Sequence, residues 1–122
     1  MTGGAWLAAS LAASGQTHVF FVDAVLRRTL LALSGAGIAP VLAHTEKAAV
    51  YMADGYARVS GRPGVVAAQS VGAANLAAGL QDAFLARAPV VALTGRKVPA
   101  HKHRNAYQEL DHASLFSAVT KY

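Results

Sequence analysis

Four short apolar runs alternate with stretches of helical spacing, and that alternation leaves this chain few ways to fold. The runs occupy residues 18–22, 41–44, 65–69 and 90–94. Each is almost continuously apolar, the pattern of strands covered on both faces. Between the first two, Leu26, Leu30 and Leu33 recur on one helical face while Arg27, Arg28 and Ser34 point elsewhere, and Gly35 supplies a helix stop. The next interval predicts a helix over 46–58 with Thr45 as N-cap. Ala49, Met52, Ala53 and Tyr56 form its buried stripe, with Lys47, Asp54 and Arg58 in water. Ser60-Gly61-Arg62-Pro63-Gly64 ends it with turn chemistry. The third interval predicts a helix over 72–86 that buries Leu76, Leu80 and Phe84. Strands and helices in strict alternation imply an α/β, three-layer αβα fold with a parallel sheet and right-handed crossovers.

A chain of 122 residues suffices for one domain with a real core. With 54% hydrophobic and 14% charged residues, it falls outside the disordered class. Arg27, Arg28, Asp54 and Asp82 interrupt the longer apolar stretches, so no membrane span is expected. Residues 5–13 are apolar, but no positive residue precedes them, which argues against a signal peptide. The absence of cysteine excludes disulfides, thiolate zinc sites and cysteine nucleophiles, and a cytoplasmic location is expected. Much of the formal charge of +5 lies in Arg96-Lys97-Val98-Pro99-Ala100-His101-Lys102-His103-Arg104. This reads as a solvated loop, or one that meets an anionic substrate or an acidic neighbouring subunit. It has neither the aromatic interleaving of a single-strand binder nor helix-turn-helix spacing, so nucleic acid is not an expected partner. A short helix is predicted over 109–117, after which the sequence stops at Thr120-Lys121-Tyr122 with no cap or polar tail.

Ligands of open parallel sheets gather at the carboxyl ends of the strands. Three groups fall there: Thr45-Glu46, Gln69-Ser70-Val71-Gly72, and the loop after Thr94. Taken alone, Glu46 would merely complement its helix dipole, worth about 0.3–1 kcal/mol. Its surroundings say more. The stretch His44-Thr45-Glu46-Lys47-Ala48-Ala49-Val50-Tyr51-Met52-Ala53-Asp54-Gly55-Tyr56-Ala57-Arg58 resembles the signature helix of acetolactate-synthase-like thiamine-diphosphate enzymes. The likeness continues at Ala88-Pro89-Val90-Val91-Ala92-Leu93-Thr94-Gly95 and at Ala106-Tyr107-Gln108-Glu109, in family order and spacing.

The resemblance implies a thiamine-diphosphate-binding fold, with residues 17–122 as an aminopyrimidine-binding (Pyr) domain that stops before its last helix and strand, and residues 1–16 as an N-terminal helical extension. In that family a glutamate, matched by Glu46, hydrogen-bonds N1′ of the cofactor's aminopyrimidine. The imino tautomer is thereby favoured, and N4′ takes the proton from thiazolium C2 before attack on a 2-keto acid. Asn75, Val71, Gly72 and Gln108 match positions around the pyrimidine. Diphosphate and magnesium are expected on a separate diphosphate-binding domain or subunit in a homo- or hetero-oligomer, so this chain alone should not catalyse. It is equally readable as a non-catalytic truncated remnant or interaction module, with poor solubility. Two segments depart from the pattern. Phe21-Val22-Asp23-Ala24 stands where the family has Gly-Val-Pro-Gly, and Ala68-Gln69-Ser70-Val71-Gly72-Ala73-Ala74-Asn75 where it has Thr-Ser-Gly-Pro-Gly-Ala-Thr-Asn. Both border the substrate side, so the likeness does not single out acetolactate synthesis over another decarboxylase or carboligase.

Three other readings are weaker. Ala68-Gln69-Ser70-Val71-Gly72 is a degenerate nucleophile elbow for a serine hydrolase using Ser70, with Asp82, Asp111 and His112 as the available partners. No Gly-x-Gly-x-x-Gly follows the first strand, which argues against a nicotinamide site. His101, His103 and His112 lack carboxylate or cysteine support for a metal, and none is expected.

Overall fold

A computed structural model describes residues 1–23 and 26–122. Along the chain come α1 (Gly3–Ala13), β1 (His18–Phe21), α2 (Arg27–Gly35), β2 (Ala39–Leu42), α3 (Glu46–Ser60), β3 (Gly64–Gln69), α4 (Ser70–Leu85), β4 (Val90–Gly95), a 3-10 turn (Pro99–His101) and α5 (His112–Phe116). The four strands form one parallel sheet in the order β2-β1-β3-β4.

Residue alternation along β3 builds the layers. Val66 and Ala68 join Ala49, Val50, Leu76 and Leu80 of α3 and α4 on one face. Val65 and Ala67 join Ala8, Leu11, Leu30 and Leu33 of α1 and α2 on the other. Covered on both sides, β3 is buried from Gly64 to Ala68, which explains its continuous apolar run. Strand order reverses between β1 and β3, the kind of switch point beside which ligands of open parallel sheets bind.

The helices hold several corrections. Gly35 lies inside the last turn of α2; the left-handed residue is Gly37, at φ +74°. Ile38 N–H donates to the Leu33 carbonyl at 2.9 Å, the long bond of a Schellman cap, and both side chains are buried in the same cluster. Strand β2 begins two residues before the expected 41–44 run. It takes in Pro40, whose missing N–H is tolerated on an edge strand. In α3 the buried residues are Ala49, Val50, Ala53, Asp54 and Ala57. Met52, expected inside, is 38% exposed, and Asp54, expected in water, is 8% exposed. The stripe is rotated because α3 packs against both the sheet and α4. Arg58 Nε donates to Asp54 Oδ1 at 2.9 Å, which allows the carboxylate to be buried. In α4, Ala83 takes the inward position expected for Phe84, which is 45% exposed. The Asp111 side chain accepts from Ala113 N–H and Ser114 N–H, starting α5 at His112 rather than near 109.

Two glycines set the distance between layers. A Cβ on Gly79 of α4 would stand 2.9 Å from Val50 Cβ, so the two helices touch there backbone to side chain. A Cβ on Gly64 would overlap the Ala53 carbonyl of α3. At the β3–α4 junction Ser70 adopts φ +42°, and α4 starts there, two residues earlier than expected. This is the position where the family pattern has glycine. Left-handed geometry costs a non-glycine residue roughly 1–2 kcal/mol, and the greater freedom of unfolded glycine returns about half. Ser70→Gly should therefore raise stability by about 0.5–1 kcal/mol in a urea titration. A loss of stability would show that the Ser70 side chain holds the junction. Of the Phe21-Val22-Asp23-Ala24 segment, Ala24 lies outside the described residues.

Candidate cofactor site at the carboxyl edge of the sheet

Thr45 is extended, at φ −143°, and its hydroxyl oxygen accepts from Ala48 N–H at 3.1 Å. That cap fixes the first turn of α3 and makes Glu46 its first helical residue. Glu46 is half-buried, and its Oε2 accepts from Asn75 Nδ2 of α4 at 3.0 Å. Buried Gly72 lies beside the other carboxylate oxygen; a Cβ there would sit 2.8 Å from Glu46 Oε1. Among the described residues nothing hydrogen-bonds Oε1. Thr45, Glu46, Lys47, Asn75 and Ala78 line an open cleft of 310 Å³. The heads of two helices thus hold one carboxylate, with one oxygen engaged and the other available.

The remaining sequence candidates separate into groups. Glu46, Asn75 and Gly72 come together. Val71 is exposed at the head of α4 and does not line the cleft. Gln108 belongs to a second polar group: its Oε1 accepts from Gln69 Nε2 at 3.4 Å, and its Nε2 donates to the Tyr107 hydroxyl at 3.3 Å. No hydrogen bond among the described residues joins Gln108 to Glu46. Gln69 Oε1 is buried with no partner, a polar atom left for a ligand or a water. The sequence puts Gln69 at the strand end without giving it a role. Lys47, expected in water, borders the cleft while remaining exposed.

The loop that carries Gln108 is fastened by Glu109. Its Oε1 accepts from His103 N–H at 2.8 Å and its Oε2 from Ala106 N–H at 3.4 Å. Left-handed φ values at His103 (63°), Asn105 (49°) and Gln108 (61°) persist within that clasp. A second tie joins His112 Nδ1 to Thr94 Oγ1 at 3.0 Å, while His112 Nε2 is buried and unpartnered. Burial first, then Arg96, hold His112 below its ordinary value of 6.5, with Asp111 opposing. The unfolded chain therefore takes up this proton before the folded one does. The stability that His112 contributes is complete above about pH 6.5 and is lost as pH falls through the depressed folded value. Acidification from about pH 7.5 to 5 should lower Tm more for wild type than for His112→Asn, and equal slopes would remove His112 as the sensor.

Ser70 is buried, and the proposed triad partners are engaged elsewhere: Asp82 accepts from the Tyr51 hydroxyl, Asp111 caps α5, and His112 meets Thr94. No described hydrogen bond links any of them to Ser70. His101 and His103 are exposed on the basic loop. No helix among the described residues is long and apolar enough to cross a membrane.

Comparison with known proteins adds the family. The thiamine pyrophosphate enzyme N-terminal TPP binding domain matches residues 1–115. Acetolactate synthase of Bacillus subtilis (strain 168) is 40% identical over 114 residues, covering 92% of this chain and 20% of that protein. The acetolactate synthase isozyme 2 large subunit of Escherichia coli (strain K12) is 37% identical over 124 residues, covering 100% of this chain and 23% of the relative. The chloroplastic acetolactate synthase of Arabidopsis thaliana is 40% identical over 83 residues, covering 67% of this chain and 12% of the relative. The chain spans 23% or less of the length of each of these three relatives. With the parallel three-layer fold and nearly the whole chain matched, the conclusion is direct: this chain belongs to the family of thiamine pyrophosphate enzyme N-terminal TPP-binding domains.

Proposed function

We propose that the chain binds the aminopyrimidine half of thiamine diphosphate and activates it through Glu46. The reaction served is acetolactate-synthase-like decarboxylation and carboligation of a 2-keto acid, once a diphosphate-binding domain or subunit completes the site. The observation that carries this reading is the Glu46 carboxylate, fixed by Asn75 through Oε2 while Oε1 stays open at the wall of a cleft. The residues fit the group. Gly72 lacks the side chain that would crowd Oε1, so a flat ring nitrogen has room to meet that oxygen.

When bound, the cofactor would supply an acidic thiazolium C2–H and, in its imino form, the N4′ nitrogen as the base for it. The Glu46 carboxyl holds the proton shared with N1′, and Asn75 keeps the carboxyl from rotating away. Gln69 and Gln108 offer amide groups at the neighbouring strand end, positioned for a polar substrate. Diphosphate and Mg²⁺ are assigned to the completing domain.

The test pairs the protein change with a cofactor change in the assembled enzyme. Glu46→Gln and a cofactor analogue with CH in place of N1′ should each slow C2 proton exchange. The combination should be no slower than the worse of the two, because both remove one interaction. Multiplying effects would place Glu46 elsewhere in the chemistry.

A further inference from the structure

Gln69, Gln108 and Tyr107 form a chain of hydrogen bonds that runs one way. Gln69 Nε2 donates to Gln108 Oε1 at 3.4 Å, and Gln108 Nε2 donates to the Tyr107 hydroxyl at 3.3 Å. Both bonds are long, but their direction is set at the inner end. Gln69 Oε1 is buried and has no partner among the described residues. Turning that amide over would bury its two N–H donors in the same place, and unmatched buried donors are rarer than unmatched carbonyls. With its carbonyl inward, Gln69 presents N–H to Gln108, and Gln108 in turn presents N–H to Tyr107. The Tyr107 oxygen therefore accepts within the chain, which leaves its own proton to be donated outward. Among the described residues nothing accepts that proton, and Tyr107 is 79% exposed.

The inner end of this relay is packed. Gln69 is in register with Gly95 of β4, and a Cβ on Gly95 would lie 3.6 Å from Gln69 Cβ and 3.5 Å from Leu26 Cδ2. Ser70 beside it and Gln108 opposite hold left-handed φ values of 42° and 61° without glycine. Strain of that kind, roughly 1–2 kcal/mol per residue, collects at ligand sites. Gly72, which flanks Glu46, follows in the first turn of α4, so the relay and the activating carboxylate share one edge of the sheet.

A 2-keto acid brings only acceptors to such a place, because at neutral pH its carboxylate and ketone oxygens carry no proton. The ketone must meet the cofactor, which leaves the carboxylate for the protein. Resting on the reading of this chain as half of a 2-keto acid enzyme, we propose that the Tyr107 hydroxyl is a substrate-binding donor for that carboxylate. Gln69 is then a positioning residue, acting through Gln108 to aim the hydroxyl proton.

The test uses the assembled enzyme, with pyruvate as the 2-keto acid and oxamate, its unreactive isostere, as competitive inhibitor. Tyr107→Phe removes one exposed hydroxyl, so the thermal melt should not move. KM for pyruvate and Ki for oxamate should each rise about tenfold, the worth of one hydrogen bond to a charged group, while kcat falls less than about twofold. Gln69→Met keeps the stem, removes the donor and should raise both constants about threefold. The double variant should match Tyr107→Phe alone, because Gln69 acts only through the hydroxyl. Constants within about twofold of wild type in Tyr107→Phe would overturn the proposal. Multiplied effects in the double variant would overturn the part given to Gln69. Exchange at thiazolium C2 without any 2-keto acid reports on Glu46 alone, so a failure here and a failure of that reading are told apart.

Discussion

Glu46→Gln is expected to slow thiazolium C2 proton exchange in the assembled enzyme by about 10²–10⁴-fold, the range for loss of a positioned acid–base group. That corresponds to roughly 3–5 kcal/mol of barrier. The substitution is almost isosteric. A glutamine carbonyl at this site can still accept from Asn75 Nδ2, and Thr45 still caps the first turn through Ala48. Stability should therefore stay within about 0.5 kcal/mol of wild type. What disappears is the group able to hand a proton to N1′, since an amide does not ionise. Exchange measured by quenched deuterium incorporation, beside a thermal melt, separates the two effects. A rate within about threefold of wild type, with the cofactor bound, would end the assignment.

Gly64→Ala should be the most damaging single substitution for folding. Its Cβ would overlap the Ala53 carbonyl oxygen and lie 2.6 Å from the carbonyl carbon. Both are backbone atoms in the middle of α3, so no side chain can swing aside. Relief requires α3 to lift from β3, which opens the apolar cluster that Ala49, Val50 and Ala53 share with Val66. A cost of about 3–4 kcal/mol follows, at the top of the overpacking range. Against a total of about 6–18 kcal/mol for this length, Tm should fall by roughly 10–15 °C. Gly55 is the contrast. It lies in the same helix, and a Cβ added there would meet nothing within 4 Å, so Gly55→Ala should gain about 1 kcal/mol. If both alanines behave alike in denaturant titrations, the helix–strand contact is looser than these distances require.

The alternation of strands and helices is legible because β3 is buried on both faces and burial writes itself as an unbroken apolar run; β4 carries such a run although Val91 is 44% exposed. Thr45 and Glu46 are legible because a cap followed by a helix is a local event. The misplacements have a common cause. A single buried stripe puts Met52 and Phe84 inside and Asp54 outside, whereas α3 and α4 each touch two surfaces and are rotated by about one residue. Asp54 needs Arg58 to be admitted inside, a pairing visible as an i,i+4 spacing but not as a burial. The separation of Gln108 from Glu46 has no local signature. It follows from left-handed residues that carry no glycine, in a loop clasped by Glu109.

The contact between Gly79 and Val50 makes the two halves of the edge unequal in their capacity to change. Seated on a neighbouring helix with no spare room, the acid at the head of α3 has a position inherited from the interior, and surface mutation can hardly shift it. The stretch between β4 and α5 has no such seat among the described residues; the Glu109 clasp, the Gln69–Gln108 bond and the His112–Thr94 bond tie it down. Change in this family's sequences is thus easier to absorb in that stretch than at the head of α3, where packing holds the carboxylate.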